Sequence, residues 1–300
     1  MGVLGVDGSV ICICLFLTTL INIKYKLMRI GLDLGGTNFR AGLVDDERLV
    51  RKEVVPCPKG SEQEVNAALL ALVKRLLTDD VTSIGVGVPT IVDRERGIVY
   101  HAANIPAWEE VHLKDIMEDA FHRPVFINND ANCFALGVHV FGEGRDYNDM
   151  VGLTLGTGVG SGLIIGGRLY NGRNTCAGEV GSLPFREKDY EYYCASRFFE
   201  EYGTTGKQLA ADARRGDQKA LDIWRVFGDN LGCLVEAVLF AYDPEAVFIG
   251  GGIADAFDFY KDGMLARLGE FPYPESVARL HIAPSHLENA ALLGAAALEE

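Results

Sequence analysis

Three short segments of this chain carry residues that could hold phosphate groups and move a proton. Residues 33–38 and 155–162 are glycine-rich turns between apolar stretches, and residues 128–132 between them offer a carboxylate, Asp130. Glycines let backbone N–H groups approach phosphate oxygens because no Cβ atom stands in the way. Two phosphate-binding turns with a carboxylate between them predict phosphoryl transfer, in which Asp130 positions the attacking hydroxyl and takes its proton.

The first turn has the sequence Asp-Leu-Gly-Gly-Thr-Asn and follows an apolar stretch. Asp33 is placed to meet a phosphate-bound Mg²⁺, directly or through water. The residues expected to surround a nucleotide here are Gly35, Gly36, Thr37 and Asn38. A plain β-hairpin is the alternative, since Gly-Gly is a common hairpin dipeptide. The turn matches neither G-x-x-x-x-G-K-[ST] nor G-x-G-x-x-G, which argues against those nucleotide folds.

The second turn has four glycines in eight residues, 155–162. Each glycine costs conformational entropy on folding, so a closely approaching ligand is the better explanation. The residues expected at the phosphates are Gly156, Thr157 and Gly158. A third close approach is predicted at Gly250, Gly251 and Gly252, at a strand-to-helix junction that could take the base and ribose or a phosphate. A tight turn is the alternative there.

The remaining candidates are acids and amides. Asn129 and Asn132 flank Asp130, which suits a polyol, although an Asp at this place could simply cap a helix. Two acids, Glu179 and Glu191, lie in or near a glycine-marked loop and could accept hydrogen bonds from hydroxyl groups. Asn104, which precedes a proline and a tryptophan, is likewise a candidate for hydrogen bonds with hydroxyl groups.

Composition narrows the class of protein. The chain has 300 residues, 48% of them hydrophobic, and a net charge of −14, which argues against nucleic-acid binding but not against ATP. The seven cysteines show neither C-x-x-C pairing nor metal-ligand spacing, which predicts reduced cysteines in a cytoplasmic protein without a zinc site.

The first 27 residues contain an apolar run, from 10 to 23, that is short for a membrane span. No Lys or Arg precedes the run and no A-x-A-like cleavage site follows it. Met28 begins a segment that needs nothing before it. We therefore expect residues 1–27 to be a non-native extension or a disordered tail, with no stable membrane association, and a true anchor is the alternative.

The periodicity predicts alternating strands and helices, hence an α/β fold. Strands are expected over 29–33, 39–44, 49–55, 83–88, 124–127, 150–155, 162–165, 168–170 and 246–249. Helices are expected over 62–77, 108–121, 130–141, 190–202, 206–214, 218–241 and 290–298, with another opening at the third turn. The order of strand, glycine turn and strand occurs in both halves, which suggests a duplicated unit with a hinge near residues 133–150.

From Met28 onward the chain resembles the ROK family of bacterial sugar kinases and related repressors. Seven motifs in order carry the resemblance: residues 33–38, 85–89, 104–106, 129–132, 155–160, 177–181 and 249–252. The resemblance implies the actin-like ATPase fold, with two α/β domains around a cleft. The expected domains are 28–133 and 134–287, with the C-terminal helix, 288–300, packing back on the first. It also implies a homodimer.

By the same resemblance, the protein is an ATP- and Mg²⁺-dependent sugar kinase. Asp130 would activate the sugar 6-hydroxyl, and the sugar-binding residues would be Asn104, Asn129, Asp130, Glu179 and Glu191. The nucleotide would lie against the three glycine turns, with Mg²⁺ near Asp33.

The chain departs from the family pattern at two places. Ser182 stands where many members have a histidine that contacts the sugar, and residues 186–189 replace a cysteine cluster that binds zinc. We expect glucose or a close hexose, with N-acetylglucosamine or N-acetylmannosamine as alternatives and fructose behind them. A repressor would need an N-terminal helix-turn-helix, and residues 1–27 are too short and apolar for one. A sugar sensor without catalysis is a third hypothesis, disfavoured because the acids and both phosphate turns are present.

Overall fold

The computed structural model describes residues 27–102 and 104–299, which form an α/β protein built on two five-stranded mixed sheets. Except for Leu27, the predicted N-terminal extension lies outside the described residues. The strands of the first sheet, in spatial order, are β3 (Leu49–Pro56), β2 (Asn38–Val44), β1 (Met28–Leu34), β4 (Val81–Val88) and β8 (Val125–Asn129).

The second sheet repeats the plan of the first. Its strands, in spatial order, are β11 (Arg168–Tyr170), β10 (Val159–Ile165), β9 (Met150–Leu155), β14 (Ala246–Gly250) and β15 (His281–Pro284). In both sheets three strands pair antiparallel on one side and the remaining pairs are parallel. The repeated turn in the sequence thus corresponds to a repeated sheet topology.

Helices cover these sheets and connect their strands. The α-helices are α1 (Glu62–Lys74), α2 (Leu113–Phe121), α3 (Asp130–Phe141), α4 (Tyr190–Cys194), α5 (Ser196–Glu200), α6 (Gly206–Arg214), α7 (Gln218–Tyr242), α8 (Phe257–Leu268), α9 (Pro274–Arg279) and α10 (Ala290–Ala296). Short 3₁₀ helices occupy Val180–Ser182 and Ala254–Ala256. Two small sheets complete the structure, one of β5 (Val92–Asp93), β6 (Ile98–Tyr100) and β7 (Glu110–His112), the other of β12 (Pro184–Phe185) and β13 (Lys188–Asp189).

Local sequence explains where the elements begin. Ser61 and Glu64 form a reciprocal capping box at the start of α1, which satisfies two backbone N–H groups. The apolar residues of α1 recur at helical spacing and pack in the core of the first sheet. The second sheet has its own core, in which aromatic rings of α5, α7 and α8 meet around Trp224.

The C-terminal helix α10 returns to the first sheet. A Cβ atom on Gly31 would lie 2.1 Å from the Leu292 carbonyl oxygen, and one on Gly85 would lie 1.7 Å from that of Ala295. Strands β1 and β4 therefore need glycine where α10 crosses them. This close packing fixes the position of β1, the strand that carries Asp33.

Some predicted boundaries were wrong. The helix predicted over 108–121 begins at Leu113, because residues 110–112 pair with β6 as strand β7. The helix predicted over 190–202 is divided at Ala195, whose backbone is extended. The third glycine turn leads into a 3₁₀ helix before α8 begins. Strand β15 and helix α9 were not predicted, since both are short and lack a clear periodicity.

Candidate active site

A cleft of about 720 Å³ lies between the two sheets and collects most of the predicted site residues. Those that line it are Asn104, Asn129, Asp130, Gly156, Thr157, Gly158, Glu179, Glu191 and Gly251. Asp33 and Gly250 line a neighbouring cavity of about 300 Å³, and Gly252 lines a third of about 550 Å³. Gly35, Gly36, Thr37 and Asn38 line none of these three cavities, although Gly36 contacts Asn104 at the edge of the cleft.

Asp130 lies at the junction of β8 and α3, on the wall of the cleft. Asn129 is the N-cap of α3, and its side-chain oxygen accepts hydrogen bonds from Ala131 N at 2.9 Å and Asn132 N at 3.4 Å. Asp130 Oδ1 also accepts from Ala131 N, at 2.8 Å. Since Asn129 caps the helix, the carboxylate of Asp130 is left to face the cleft.

Burial and neighbouring charges shift the pKa of the Asp130 carboxyl. Burial first, then the nearby negative charge of Asp33 and to a lesser extent that of Glu179, together raise its pKa from 3.8 to about 6. The hydrogen bond from Ala131 N opposes this by favouring the carboxylate. A carboxylate with a pKa near 6 is ionised at neutral pH and is a stronger base than an ordinary aspartate.

Buried asparagines hold the end of β8 in place. Asn128 is fully buried, and its Oδ1 accepts from Asn129 N at 2.8 Å and from Asn132 Nδ2 at 2.9 Å. Its Nδ2 donates to Asn171 Oδ1, at 2.7 Å, on a loop that follows the second sheet. The asparagine-rich sequence around Asp130 thus positions the carboxylate and joins the two sides of the cleft.

The first glycine turn is enclosed by protein. A Cβ atom on Gly36 would lie 2.4 Å from the carbonyl oxygen of Asn104. Gly35 N donates to Asn38 O at 3.1 Å, which closes the turn between β1 and β2. Lys59 Nζ donates to the Gly36 carbonyl oxygen, so a cation stands beside the backbone that was predicted to bind phosphate.

Asp33 is paired with Arg40, whose Nη1 lies 2.8 Å from Asp33 Oδ2. The two residues face each other across the hairpin of β1 and β2. The negative charge of Asp33 also raises the pKa of Asp130, so the two carboxylates lie close enough for repulsion between them. A phosphate-bound divalent cation near these two acids would reduce their repulsion, in addition to the positive charge that Arg40 places beside Asp33.

The second turn is more open. Among the described residues no heavy atom lies within 4 Å of the place where a Cβ atom on Gly156 would stand, apart from its chain neighbours. Ser196 supports the turn from behind, since its N donates to Gly156 O at 2.9 Å and its Oγ to Thr157 O at 3.2 Å. Glu191 reaches over Gly158 and accepts from Val159 N at 3.1 Å.

The third turn combines structural and open glycines. Gly251 has a φ of +83°, and a Cβ atom there would lie 2.3 Å from Leu155 O, so the backbone itself requires glycine. Around Gly252, by contrast, no described residue approaches within 4 Å of the Cβ position. Gly252 and Gly156 both line the 550 Å³ cavity, together with Lys207, Arg214 and Asp255. This cavity could take the nucleoside end of a nucleotide.

The opposite wall of the cleft carries Glu179 and Ser182, on the loop and 3₁₀ helix that follow β11. Both residues are exposed to the cleft. Partial desolvation of the Glu179 carboxylate, and then the charge of Glu191, raise the pKa of Glu179. Acids at such positions can accept hydrogen bonds from sugar hydroxyls.

The metal-binding potential of the described residues is limited. In the ranges 27–102 and 104–299 no group of three or more His, Cys, Asp or Glu side chains is arranged to hold a metal ion. Residues 186–189, which stand in place of the family's cysteine cluster, comprise the two-residue turn after β12 and strand β13 itself. A phosphate-bound Mg²⁺ would take only part of its ligands from protein.

Sequence reasoning missed Arg40, Lys59 and Ser196. Arg40 could have been found from the hairpin, because a turn at residues 35–37 places it opposite Asp33. Lys59 follows strand β3, and Asn38 pairs with Pro56, which brings Lys59 to the first turn. Ser196 lies forty residues from the second turn and gave no local signal.

Comparison with known proteins shows the family of the chain. The profile of the ROK family matches residues 29–300. The glucokinase of Thermotoga maritima is 31% identical over 91% of this chain and 97% of its own. The N-acetyl-D-glucosamine kinase of Pectobacterium atrosepticum is 33% identical over 78% of this chain and 86% of its own.

A solved structure extends the likeness to the fold. The ROK family glucokinase from Streptomyces griseus, in complex with glucose and AMPPNP, superposes with a TM-score of 0.76 at 29% identity, over 90% of this chain and 98% of its own.

As for membranes, none of the helices within 27–102 and 104–299 combines the length and apolar character needed to cross one. The two mixed sheets, the order of the motifs and the extent of these matches identify the chain as a member of the ROK family.

Proposed function

We propose that the protein is an ATP-dependent hexose kinase that transfers the γ-phosphoryl group of ATP to the sugar 6-hydroxyl. The observation that carries the proposal is Asp130, a carboxylate with a raised pKa on the wall of a cleft that also contains a glycine turn and two further acids. The kinase names of the relatives support the same activity.

In this proposal the sugar binds deep in the cleft. Asn104 and Asn129 contact it from the first-sheet side, and Glu179 and Glu191 accept hydrogen bonds from its hydroxyls on the other side. Asp130 accepts a hydrogen bond from the 6-hydroxyl, orients its oxygen toward the γ-phosphorus and takes its proton as transfer proceeds.

The nucleotide would lie along the glycine turns. N–H groups around Thr157 and Gly158, together with that of Gly36, would face the phosphates, while Gly35 shapes the first turn beside them through its hydrogen bond to Asn38 O. The cavity behind Gly156 and Gly252 would hold the nucleoside. Lys59 adds a positive charge beside the first turn. Asp33 would help hold Mg²⁺, which supplies charge neutralisation at the β- and γ-phosphates when bound.

We also propose that the two sheets belong to domains that close around the substrates, with boundaries at 28–133 and 134–287 and with helix α10 packed on the first. Closure would exclude water and so limit the hydrolysis of ATP. The homodimer implied by the family resemblance stays a prediction.

Glucose is the favoured acceptor because glucokinases are among the similar proteins. N-acetylglucosamine is the second candidate, favoured by the likeness to N-acetyl-D-glucosamine kinase. N-acetylmannosamine and fructose follow. A sensor without catalysis would bind sugar but transfer no phosphoryl group.

The test is ADP release by the purified protein with MgATP and a panel of glucose, N-acetylglucosamine, N-acetylmannosamine, fructose, mannose and allose. One strongly preferred sugar would support the kinase and name its substrate. Binding of ATP without ADP release on any of these sugars would contradict the proposal and favour the sensor.

A further inference from the structure

The loop that carries Glu179 is attached to both sides of the cleft. We call residues 171–179 the bridging loop, since it follows β11 of the second sheet and reaches the small sheet beside the first. At its start Asn171 accepts from Asn128, and at its end the Gly178 carbonyl accepts from Ser161 on β10. Its middle is held by Thr175.

Thr175 is buried and strained. Its side chain is 3% exposed and its φ is +57°, a left-handed conformation that a β-branched residue rarely adopts. Such strain persists only where surrounding contacts maintain it, and it is concentrated at functional sites. The contacts that hold Thr175 therefore indicate why this left-handed conformation is maintained.

Those contacts are hydrogen bonds to strand β5. Val92 N donates to Thr175 Oγ1 at 3.2 Å, and Thr175 Oγ1 lies 2.5 Å from Val92 O and 2.6 Å from Asn174 O. The single hydroxyl proton serves one of these two carbonyls at a time. Through Thr175 Oγ1, the bridging loop is hydrogen-bonded to β5, whose residue Val92 packs in the hydrophobic core of the first sheet.

The segment just before β5 lines the cleft. Two residues before Val92, the Thr90 carbonyl accepts from Asn129 Nδ2 at 3.4 Å, and Thr90 lines the cleft. On the other side, Thr175 is followed within four residues by Cys176 and Glu179, which also line the cleft. The Thr175 hydroxyl therefore connects the segment that is bonded to Asn129 with the loop that carries Glu179.

We propose that the Thr175 hydroxyl is a positioning group that fastens the bridging loop to β5 and so sets the placement of Glu179 relative to Asp130. The inference rests on the proposed function, because it assigns the effect to sugar binding. Thr175 touches neither substrate; it acts through Glu179. Its loss should weaken the sugar complex and leave the nucleotide complex intact.

The experiment compares Thr175→Val, which keeps the shape and the strain but removes the hydroxyl, with Thr175→Ser, which keeps the hydroxyl. We expect Thr175→Val to raise the sugar Kd and KM by about tenfold, comparable to the loss of one hydrogen bond between Glu179 and the sugar, with kcat and the ATP KM within about twofold of wild type. Thr175→Ser should bind sugar within about threefold of wild type.

A matched control is Thr82→Val, which removes a hydroxyl hydrogen bond to Met28 O (3.1 Å) away from the cleft. Hydrogen exchange gives a readout that needs no activity: amides of residues 171–179 should exchange faster in Thr175→Val and not in Thr82→Val. If Thr175→Val folds poorly, Thr175→Gly relieves the left-handed strain while still lacking the hydroxyl, and should show the same loss of sugar affinity.

The proposal is overturned if the valine or glycine variant binds sugar as the wild type does, if serine fails to rescue, or if sugar and nucleotide affinities fall together. A wild-type protein that binds no sugar would refute the proposed function, whereas the exchange comparison would still decide whether Thr175 fastens the loop.

Discussion

The two sheets have the same strand order, but the glycine turns that join their central antiparallel strands are built differently. The first turn is enclosed and charged, with Asn104 against Gly36, Lys59 on the Gly36 carbonyl and Arg40 paired with Asp33. The second turn leaves Gly156 open and is supported from behind by Ser196.

This difference suggests a division of labour. In the proposed function, the charged groups that would act on the phosphoryl group belong to the first half, as does Asp130, which follows strand β8 of the first sheet. The second half offers an open backbone and a cavity, which suit the binding of a nucleotide without chemistry on it. A duplicated fold can thus keep one topology while its two turns take different roles.

The largest effect is expected at Asp130. Asp130→Asn removes the base and keeps the shape, so kcat should fall by about a thousandfold, within the usual range for a general base, while the sugar Kd changes little. Steady-state kinetics and calorimetric titration measure the two quantities. Asp217→Asn is the control, because Asp217 caps α7 and asparagine caps equally well. Full activity in Asp130→Asn would refute its role.

The contrast between the turns predicts opposite effects of the same substitution. Gly36→Ala places a methyl group against Asn104 O and should destabilise the protein by about 1–3 kcal/mol, the usual cost of overpacking. Gly156→Ala meets no described residue and should leave the free energy of unfolding within about 0.5 kcal/mol.

For nucleotide binding, Gly156→Ala should raise the ATP KM by about tenfold. The methyl group would occupy space that the phosphates approach, and one hydrogen bond between the turn and the phosphates would be lost. Gly252→Ala should act in the same direction. Denaturant unfolding and ATP kinetics separate the two effects. An unchanged ATP KM in both variants would show that these glycines do not face the nucleotide.

A titration of Asp130 can test how strongly the charge of Asp33 affects its pKa. Burial and Asp33 hold it at about 6, so kcat/KM of the wild type should decline as the pH falls through 6 and the base becomes protonated. Asp33→Asn removes a negative charge and should lower this pKa. A ¹³C titration of the Asp130 carboxyl in the free protein measures the shift without requiring catalysis.

The control for that titration is Asp46→Asn, because Asp46 pairs with Arg29 at the far end of the same hairpin. It should leave the Asp130 pKa unchanged. A pKa that stays at about 6 in Asp33→Asn would mean that the charge of Asp33 does not contribute to the shift.

The smallest effect is expected at the Asp33–Arg40 pair. The Arg40 side chain is 43% exposed, so Arg40→Gln should cost only about 0.5 kcal/mol of stability, as for other surface ion pairs. Chemical denaturation measures it. A loss of several kcal/mol would mean that the first turn depends on this pair far more than its exposure suggests.

Local features of the sequence predicted much of the site. The glycine turns, the strands before them and Asp130 all lie in short segments whose pattern is complete within ten residues. The roles of Thr175 and Ser196 depend on contacts with residues 83 and 39 positions away, which no local pattern reveals. Element ends were missed for the same reason, as at β7, where pairing with β6 overrides a helical pattern.

The central claim is that the cleft moves the γ-phosphoryl group of ATP to a hexose, and the fate of that group tests it most directly. The protein would be incubated with γ-³²P-labelled MgATP and the preferred sugar, and the products separated. The account predicts label in a sugar 6-phosphate with wild type and almost none with Asp130→Asn. Label released only as inorganic phosphate, or retained in ATP while sugar and nucleotide both bind, would contradict it.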